Sequence, residues 1–196
     1  MTAPHGASAP RGNIARVDRK SLIGFRAACE EMWGEKGFAQ ICAALPPDVR
    51  ERTAGILPLD KWNALEDLIA WHRVVWQGPA ARDEKLMTAH IHATVNAGFG
   101  RVKRLFLRLA TPRTLAPLVA ALWRDEYSTG LLEATFPDEH SVELTLSSHP
   151  YVDDPLMRFV ISEVFRYVLS MTNVERVDIA AYGVREKSLS VLLRWE

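Results

Sequence analysis

The sequence predicts an α+β protein whose helical N-terminal half packs on a C-terminal β-β-α-β-β unit that forms an antiparallel sheet. Apolar residues recur at helical spacing from residue 21 to about residue 123, whereas from residue 131 they alternate with polar residues, as in strands. One more helical stripe, over residues 155–171, separates two pairs of strands. The change of period therefore divides the chain into a helical part and a sheet part.

Glycine and proline separate the helices of the N-terminal half. Helical spacing over residues 21–45 is interrupted by Gly34 and Gly37, which predicts two short helices with a break between them. A stronger helix is predicted from Asp60, as N-cap, to about Trp76.

The helix predicted over residues 60–76 is apolar over nearly half of its circumference. At 100° per residue Trp62, Ile69, His72 and Trp76 fall on one side, and further apolar residues widen that face. Either the helix lies at the centre of the core, or its second apolar face contacts a ligand or a partner. We therefore name these four residues as candidate ligand-binding residues, and we expect a homo-oligomer that covers the second face.

A basic group lies on the next helix, which is predicted from Asp83 toward residue 110. Arg101, Arg104 and Arg108 project side by side, and the stretch 101–113 contains five basic and no acidic residues. Guanidinium groups in this arrangement suit an acidic protein surface or a phosphorylated ligand. A solvated helix face is the simpler interpretation of the same pattern.

The C-terminal half begins with a predicted hairpin, residues 131–136 and 142–147. Asp154 and Pro155 then cap a helix that ends near residue 171. The last two strands, residues 177–181 and 189–195, are predicted to meet at a turn around Gly183.

Charge and composition exclude several classes of function. The 24 Lys and Arg residues balance the 24 Asp and Glu residues, so we expect no nucleic-acid partner. No stretch resembles a signal peptide or a membrane span, which predicts a cytoplasmic protein. Cys29 and Cys42 are expected to be reduced thiols, a disulfide or redox pair being the alternative.

The predicted domain organisation is one domain with an appendage. The beginning of the chain is rich in Pro, Ala, Gly and Ser, so residues 1–18 are interpreted as a disordered arm. Residues 19–196 form the domain, with a helical part (19–80) and a part that contains the long helices and the β-β-α-β-β unit (81–196).

No sequence motif of an enzyme or a metal site is present. Phosphate-binding glycine loops and nucleophile elbows are absent. His90 and His92 are two residues apart on a predicted helix, so their side chains point in nearly opposite directions and cannot bind one metal ion. Asp154 and His149 lie in a polar loop, but Asp154 is already explained as a helix cap. We expect a protein that is not an enzyme and binds no metal.

Several segments together resemble a known family. They are Gly98-Phe99-Gly100-Arg101, the run RLFLRLATPRTLAPLVAALWRDEYSTGLLEATF, the helix PLMRFVISEVFRYVL and the ending LSVLLRW. The sequence resembles an uncharacterised paralogous family of myxobacteria, which is similar to the heme nitric oxide/oxygen binding (H-NOX) fold and to the four-vinyl-reductase ligand-binding domains. The resemblance implies a domain that senses or holds a small ligand.

The resemblance does not extend to the heme-binding residues. In the heme sensors a histidine on the helix before the first hairpin strand ligates iron, whereas residues 115–127 contain no histidine. The Tyr-x-Ser-x-Arg pattern that binds the heme propionates in those sensors is also absent. We therefore expect no heme and no other cofactor.

These observations predict a non-catalytic sensory or adaptor domain of a signalling pathway. It binds a small apolar ligand or a protein partner between the helical half and the sheet. The alternative is a homodimeric protein-interaction module with a filled core and no ligand. An enclosed apolar cavity of roughly a few hundred Å³ with one or two polar groups favours the first. A flat exposed apolar patch favours the second.

Overall fold

The change from helical to alternating spacing corresponds to a change of architecture in the computed structural model, which describes residues 14–57, 61–98, 107–185 and 187–196. The helices are α1 (Arg19–Ala44), α2 (Pro47–Thr53), α3 (Leu65–Gln77), α4 (Glu84–Gly98), α5 (Pro112–Glu126) and α6 (Pro155–Ser170). The strands are β1 (Arg16–Asp18), β2 (Trp62–Ala64), β3 (Leu131–Thr135), β4 (Ser141–Ser147), β5 (Val177–Arg185) and β6 (Ser188–Trp195). The predicted α+β order, with β-β-α-β-β at its end, is confirmed.

The C-terminal strands form one antiparallel sheet in the order β3-β4-β6-β5. Alternate residues of the two central strands are fully buried on its inner face, among them Leu144 of β4 and Val191 of β6. The outer face is polar, and the hydroxyls of Thr145 and Ser190 lie 2.7 Å apart on it. Helix α6 begins at the predicted cap, where Asp154 accepts hydrogen bonds from two backbone N–H groups.

The predicted turn at Gly183 is wrong. Strand β5 continues through Gly183 to Arg185, and the residue with a left-handed backbone is Lys187, with φ 56°. A register shift between Ile179 and Ala181 also ends the simple alternation of β5. A glycine inside an alternating segment indicates a turn only where the backbone needs a positive φ, and Gly183 does not adopt one.

The predicted break in the first helix is confirmed at one glycine. Gly34 adopts φ 65° and ψ −178° inside α1, a conformation that L-residues rarely adopt, whereas Gly37 is helical. Cys29 and Cys42 are free cysteines, so the expectation of reduced thiols is confirmed.

Two boundaries near the N-terminus differ from the prediction. Arg16–Asp18 form β1, with Val17 fully buried, so these residues belong to the fold and not to an arm; residues 1–13 lie outside the described residues. The helix predicted from Asp60 begins at Leu65 instead. Trp62 lies in β2, because the backbone of residues 62–64 pairs with β1, and a single turn of helical spacing cannot reveal such pairing.

Helix α3 is a central core helix. Leu65, Leu68, Ile69 and Val75 are at most 4% exposed. On another side Trp71 contacts the rings of Phe25 and Phe38, with centroids 5.8 and 5.9 Å away. Most of the broad apolar arc is therefore covered within the chain, while Val74 and Trp76 are half-buried.

The described helices include none that combines the length and the apolar character needed to cross a membrane.

Candidate functional site

A cavity of about 140 Å³ lies between the N-terminal helices and α6, the helix that packs on the sheet. Its lining is predominantly apolar. The apolar residues are Leu65 and Leu68 of α3, Ile91 and Val95 of α4, Val119, Leu122 and Trp123 of α5, and Met157, Val160, Ile161, Val164, Phe165 and Val168 of α6. The cavity therefore contacts both halves of the fold.

One face of α4 forms a wall of the cavity. Ile91, Thr94, Val95 and Gly98 follow the i, i+3, i+4, i+7 spacing of one helical face. This face is held in place by α1, because a Cβ atom on Gly24 would lie only 3.0 Å from the carbonyl oxygen of Thr94 and 3.2 Å from the backbone nitrogen of Gly98. The glycine permits a close approach of the two helices, and that approach positions the wall.

Among the described residues, the charged side chains of the lining lie at one end. Lys20, Ser21 and Glu126 line the cavity there, and Lys20 is exposed, so this end reaches the surface. The Ser21 hydroxyl donates a hydrogen bond to Glu126 Oε2 over 3.2 Å.

Three residues of the lining carry buried polar atoms that have no hydrogen-bond partner among the described residues. These atoms are Nδ1 of His72, Oγ1 of Thr94 and Nε2 of His149. An unpaired buried polar atom costs about 1–3 kcal/mol, so such atoms are rare in folded proteins and each one needs an explanation. Each of these atoms is fully buried, so it lies within the wall and not on the inner surface of the cavity.

The hydrogen bond of His149 determines which of its nitrogens carries the proton. The backbone N–H of Tyr151 donates to Nδ1 of His149 over 3.3 Å, so Nδ1 is an acceptor and the proton of the neutral ring is on Nε2. Burial lowers the pKa of His149 to about 4. Burial, together with nearby His90, lowers the pKa of His72 to about 3. Both imidazoles are neutral at pH 7, and His149 presents an unpaired N–H donor.

Aromatic rings surround this donor. The rings of Trp123 and Tyr127 lie 5.6 and 6.1 Å from the His149 ring and stack on each other at 4.2 Å. Phe165 contacts Trp123 edge-on at 6.1 Å, and all four residues line the cavity. Trp123 Nε1 donates to the carbonyl oxygen of Thr129 over 3.0 Å, which holds the indole in place.

The candidate ligand-binding residues named from the sequence lie in different places. His72 lines the cavity. Ile69 is a core residue, 1% exposed, outside the cavity wall, and Trp76 packs on Phe159 with ring centroids 6.4 Å apart. Trp62 lies on β2, where Lys61 Nζ is 4.6 Å from its ring. The structure thus brings only His72 of the four to the cavity.

The sequence did not single out Thr94 and Trp123 as ligand-binding residues, and His149 was noted there only as part of a polar loop. Each has an ordinary sequence context: a helical stripe for Thr94, an amphipathic helix for Trp123 and a loop after a strand for His149. Their elements meet only in the folded chain. No spacing in the sequence signals their common site.

The basic group is only partly described. Arg101 and Arg104 lie outside the described residues, and Arg108 is exposed. Nearby, the Arg113 guanidinium lies 5.2 Å above the ring of Phe136. Binding of an acidic partner by Arg101, Arg104 and Arg108 stays a prediction.

The two histidines of α4 contact different neighbours, as their spacing predicts. His90 Nε2 lies 3.3 Å from Cys29 Sγ in the core, whereas His92 Nε2 lies 2.6 Å from Glu163 Oε1. Burial raises the pKa of the Cys29 thiol, which keeps it protonated and unreactive. In the part of the chain that the structure describes, no three His, Cys, Asp or Glu side chains are grouped to hold a metal ion.

Comparison with solved structures identifies relatives of the fold. An oxygen-binding H-NOX domain related to soluble guanylate cyclases, solved as its oxygen complex, matches with a TM-score of 0.60 and 9% identity over 89% of this chain and 93% of that chain. The unliganded Fe(II) H-NOX protein from K. algicida matches with a TM-score of 0.65 and 9% identity over 91% and 96%. The fold is similar to that of H-NOX domains.

Sequence comparison adds no closer relationship. No model of a known protein family matches the chain, and no curated protein matches it. The resemblance to the myxobacterial family therefore stays a prediction, and the H-NOX likeness concerns the fold.

The residues around the cavity do not fit the heme that the H-NOX fold implies. The residues that α5 contributes include Val119, Leu122 and Trp123 but no histidine. A metal-binding histidine donates its second N–H to an acceptor, whereas Nδ1 of His149 accepts from Tyr151. A cavity of about 140 Å³ is close to the size that holds benzene, and a heme is far larger.

Proposed function

We propose that this chain is a non-catalytic sensory or adaptor domain of a signalling pathway that binds a small apolar molecule in the cavity. One observation carries the proposal: an apolar cavity of about 140 Å³ whose walls come from both the helical part and the sheet part of the fold. The cavity is smaller than the few hundred Å³ expected from the sequence, which limits the ligand to about the size of one ring.

The chemistry of the lining favours binding over catalysis. A general base works best with a pKa near the operating pH. The pKa values of His72 and His149 are far below that, about 3 and about 4. The remaining unpaired group is the Thr94 hydroxyl, which has no hydrogen bond to a base among the described residues.

The position of the cavity suits a sensor. Its walls belong to α3, α4 and α5 of the helical part and to α6 of the sheet part. A ligand that contacts all four helices stabilises the arrangement in which these contacts form, at the expense of arrangements in which they do not. Binding is thereby coupled to the packing of the two halves.

Thermal unfolding with benzene as the probe tests the proposal. At a benzene concentration about ten times the Kd, the stabilisation is about 1.4 kcal/mol, and Tm rises by roughly 3–6 °C. Val164→Phe places a ring in the cavity and is expected to abolish the rise. Val184→Phe is the matched control, because Val184 lies on β5 outside the cavity lining and is 46% exposed.

The outcome against the proposal is equally specific. If benzene does not raise Tm of the unmodified chain, or if Val164→Phe and Val184→Phe respond to it alike, the cavity is not a binding site. Native mass spectrometry of freshly purified protein reports a bound molecule and the subunit number in one measurement.

A homodimeric interaction module remains the second proposal, supported by the edge strand β5. Among the described strands β5 pairs only with β6, which leaves its other edge open. Tyr182 and Val184 point to the inner side of the sheet yet are 56% and 46% exposed. Open edges with apolar side chains favour strand pairing between copies. Light scattering across the micromolar range tests it: a dimer that Val184→Lys converts to a monomer supports it, and a monomer at every concentration contradicts it.

A further inference from the structure

We infer that the hydroxyl of Tyr127 is the polar contact of the ligand, and that the ligand is a small apolar molecule that carries a hydrogen-bond acceptor. The inference rests on the proposed function, and it adds the chemical class of the ligand and the residue that selects it. It follows from the depth of the Tyr127 side chain, the accessible surface of its hydroxyl and the fixed position of its ring.

The Tyr127 side chain lies deep in the fold and yet keeps accessible surface. Burial raises the pKa of its hydroxyl above the usual value, and the charge of nearby Glu126 adds to the shift. The residue is nevertheless only half-buried, unlike Trp123 and His149, the buried residues whose rings it contacts. Because Tyr127 lines the cavity, the accessible surface of this deeply placed side chain faces the cavity.

The Tyr127 hydroxyl differs from the fully buried polar atoms of the wall. Those atoms, on His72, Thr94 and His149, have almost no accessible surface and no partner among the described residues. The Tyr127 hydroxyl is not one of these enclosed atoms, although it forms no hydrogen bond with a described residue. A polar atom that is neither enclosed nor paired has surface that a molecule in the cavity can reach.

The backbone and a neighbouring ring fix the position of Tyr127. Its N–H donates to the carbonyl oxygen of Trp123 over 2.8 Å, and its backbone forms an antiparallel bridge with Val17 of β1. Its ring stacks on the Trp123 indole at 4.2 Å, and a hydrogen bond to Thr129 holds the indole in turn. The hydroxyl is therefore held in place before a ligand arrives, so that binding does not have to order it.

The hydroxyl favours an acceptor on the ligand. Because its pKa is raised, the phenol keeps its proton at neutral pH and can donate a hydrogen bond. A ligand without a polar atom would displace water from the hydroxyl and leave the donor unpaired, which lowers the affinity. An ether, carbonyl or hydroxyl oxygen on the ligand accepts the hydrogen bond instead. The described part of the lining is otherwise predominantly apolar, which favours an apolar remainder of the ligand.

Two probes of equal shape test the acceptor. Anisole and ethylbenzene differ by one ether oxygen in place of a methylene group. Their Kd values are measured by calorimetry for the unmodified chain and for Tyr127→Phe, which keeps the ring and removes only the hydroxyl. The quantity compared is the preference for anisole, the Kd ratio of the two probes, because it cancels their common apolar contacts.

We expect the preference for anisole to be about three- to tenfold larger in the unmodified chain than in Tyr127→Phe, the range for one neutral hydrogen bond. Tyr151→Phe is the matched control, because it removes the hydroxyl of a half-buried tyrosine outside the lining, and it should keep the preference. If the preference is the same with and without the Tyr127 hydroxyl, or is lost in Tyr151→Phe as well, the inference is wrong while the proposed function stands. If neither probe binds the folded chain, the proposed function itself fails.

A second measurement uses only the unmodified chain and keeps the test decisive if Tyr127→Phe does not fold. The intensity ratio of the tyrosine doublet in the Raman spectrum depends on the hydrogen bonding of the phenol hydroxyl. The chain has four tyrosines, so a change in one of them is measurable. We expect the ratio to differ between the chain saturated with anisole and the chain saturated with ethylbenzene, because only anisole can accept a hydrogen bond. Equal ratios overturn the inference.

Discussion

The two faces of α4 differ in whether their buried polar groups have hydrogen-bond partners. Toward the cavity, Thr94 stands among apolar residues with its hydroxyl unpaired. Toward α6, His92 and Asn96, one helical turn apart, each have a partner: His92 contacts Glu163, and Asn96 Nδ2 donates to the Tyr167 hydroxyl over 2.6 Å. One helix therefore carries both a candidate site and a structural contact.

The polar contact between α4 and α6 is satisfied within the chain. Glu163 accepts hydrogen bonds from His92 over 2.6 Å and from Arg166 Nε over 2.9 Å, and the His92 ring stacks on Tyr167 at 3.7 Å. Burial by itself raises the pKa of Glu163, but the hydrogen bonds from His92 and Arg166 hold it below its usual value. A paired buried group stabilises the fold, whereas an unpaired one costs stability.

The largest expected loss of stability follows from removing Glu163, the acceptor on the face of α4 whose polar groups are paired. Glu163→Ala leaves His92 and Arg166 without their common acceptor, and we expect the free energy of unfolding to fall by about 2–4 kcal/mol. This is below the range for a fully buried pair because the Arg166 side chain is 27% exposed. Denaturant unfolding measures it, with exposed Glu31→Ala on α1 as the control. A loss under roughly 1 kcal/mol would place this contact among weak surface pairs.

The next effect concerns pH and the cavity face. The pKa of His149 is lowered by burial to about 4, from 6.5, so below pH 6.5 the unfolded chain binds a proton that the folded chain does not. The stability due to the neutral ring is fully present above pH 6.5 and is lost as the pH falls toward 4. In His149→Phe we expect the slope of the unfolding free energy between pH 4.5 and 6 to decrease by about 1.4 kcal/mol per pH unit.

The control for this slope is Thr94→Val, which removes no titratable group and should leave the slope unchanged. His72 and His90, whose pKa values burial lowers to about 3 and about 4, account for the slope that remains in His149→Phe. Equal slopes in the unmodified chain and in His149→Phe would show that His149 is not a buried neutral group.

The smallest effect compares the two faces of α4 directly. Thr94→Val replaces the unpaired hydroxyl by a methyl group of the same shape, and we expect the unfolding free energy to rise by up to about 1 kcal/mol. Asn96→Ala removes a paired group two residues away and should lower it by about 1 kcal/mol. Both values come from denaturant unfolding. Two changes of the same sign would remove the distinction between the faces.

Residues that act through local structure were predicted correctly. Asp83 and Asp154 cap their helices as predicted, because each side chain accepts hydrogen bonds from backbone N–H groups two or three residues away. Gly34 breaks α1, and the alternation of β3, β4 and β6 is present in the sheet. Interactions between residues a few positions apart can be predicted from the sequence.

Residues whose role depends on distant neighbours were not predicted. Trp62 belongs to β2 because this segment pairs with β1. The rings of Phe25 and Phe38 in α1 pack on Trp71 of α3. His72 was named for its position on an apolar helix, but the sequence did not show that His149, 77 positions later, lines the same cavity.

The sequence by itself determined the order of the helices and of the four C-terminal strands, the caps at Asp83 and Asp154, and the apolar faces, because periodicity and capping are set by near neighbours. Only the tertiary structure decided which buried polar atoms find partners. His92 contacts Glu163 across 71 positions of sequence, whereas His149 Nε2 has no acceptor among the described residues. Hydrogen bonds of this kind depend on how whole helices and strands pack against one another. The type of a residue does not show which distant side chain will lie next to it.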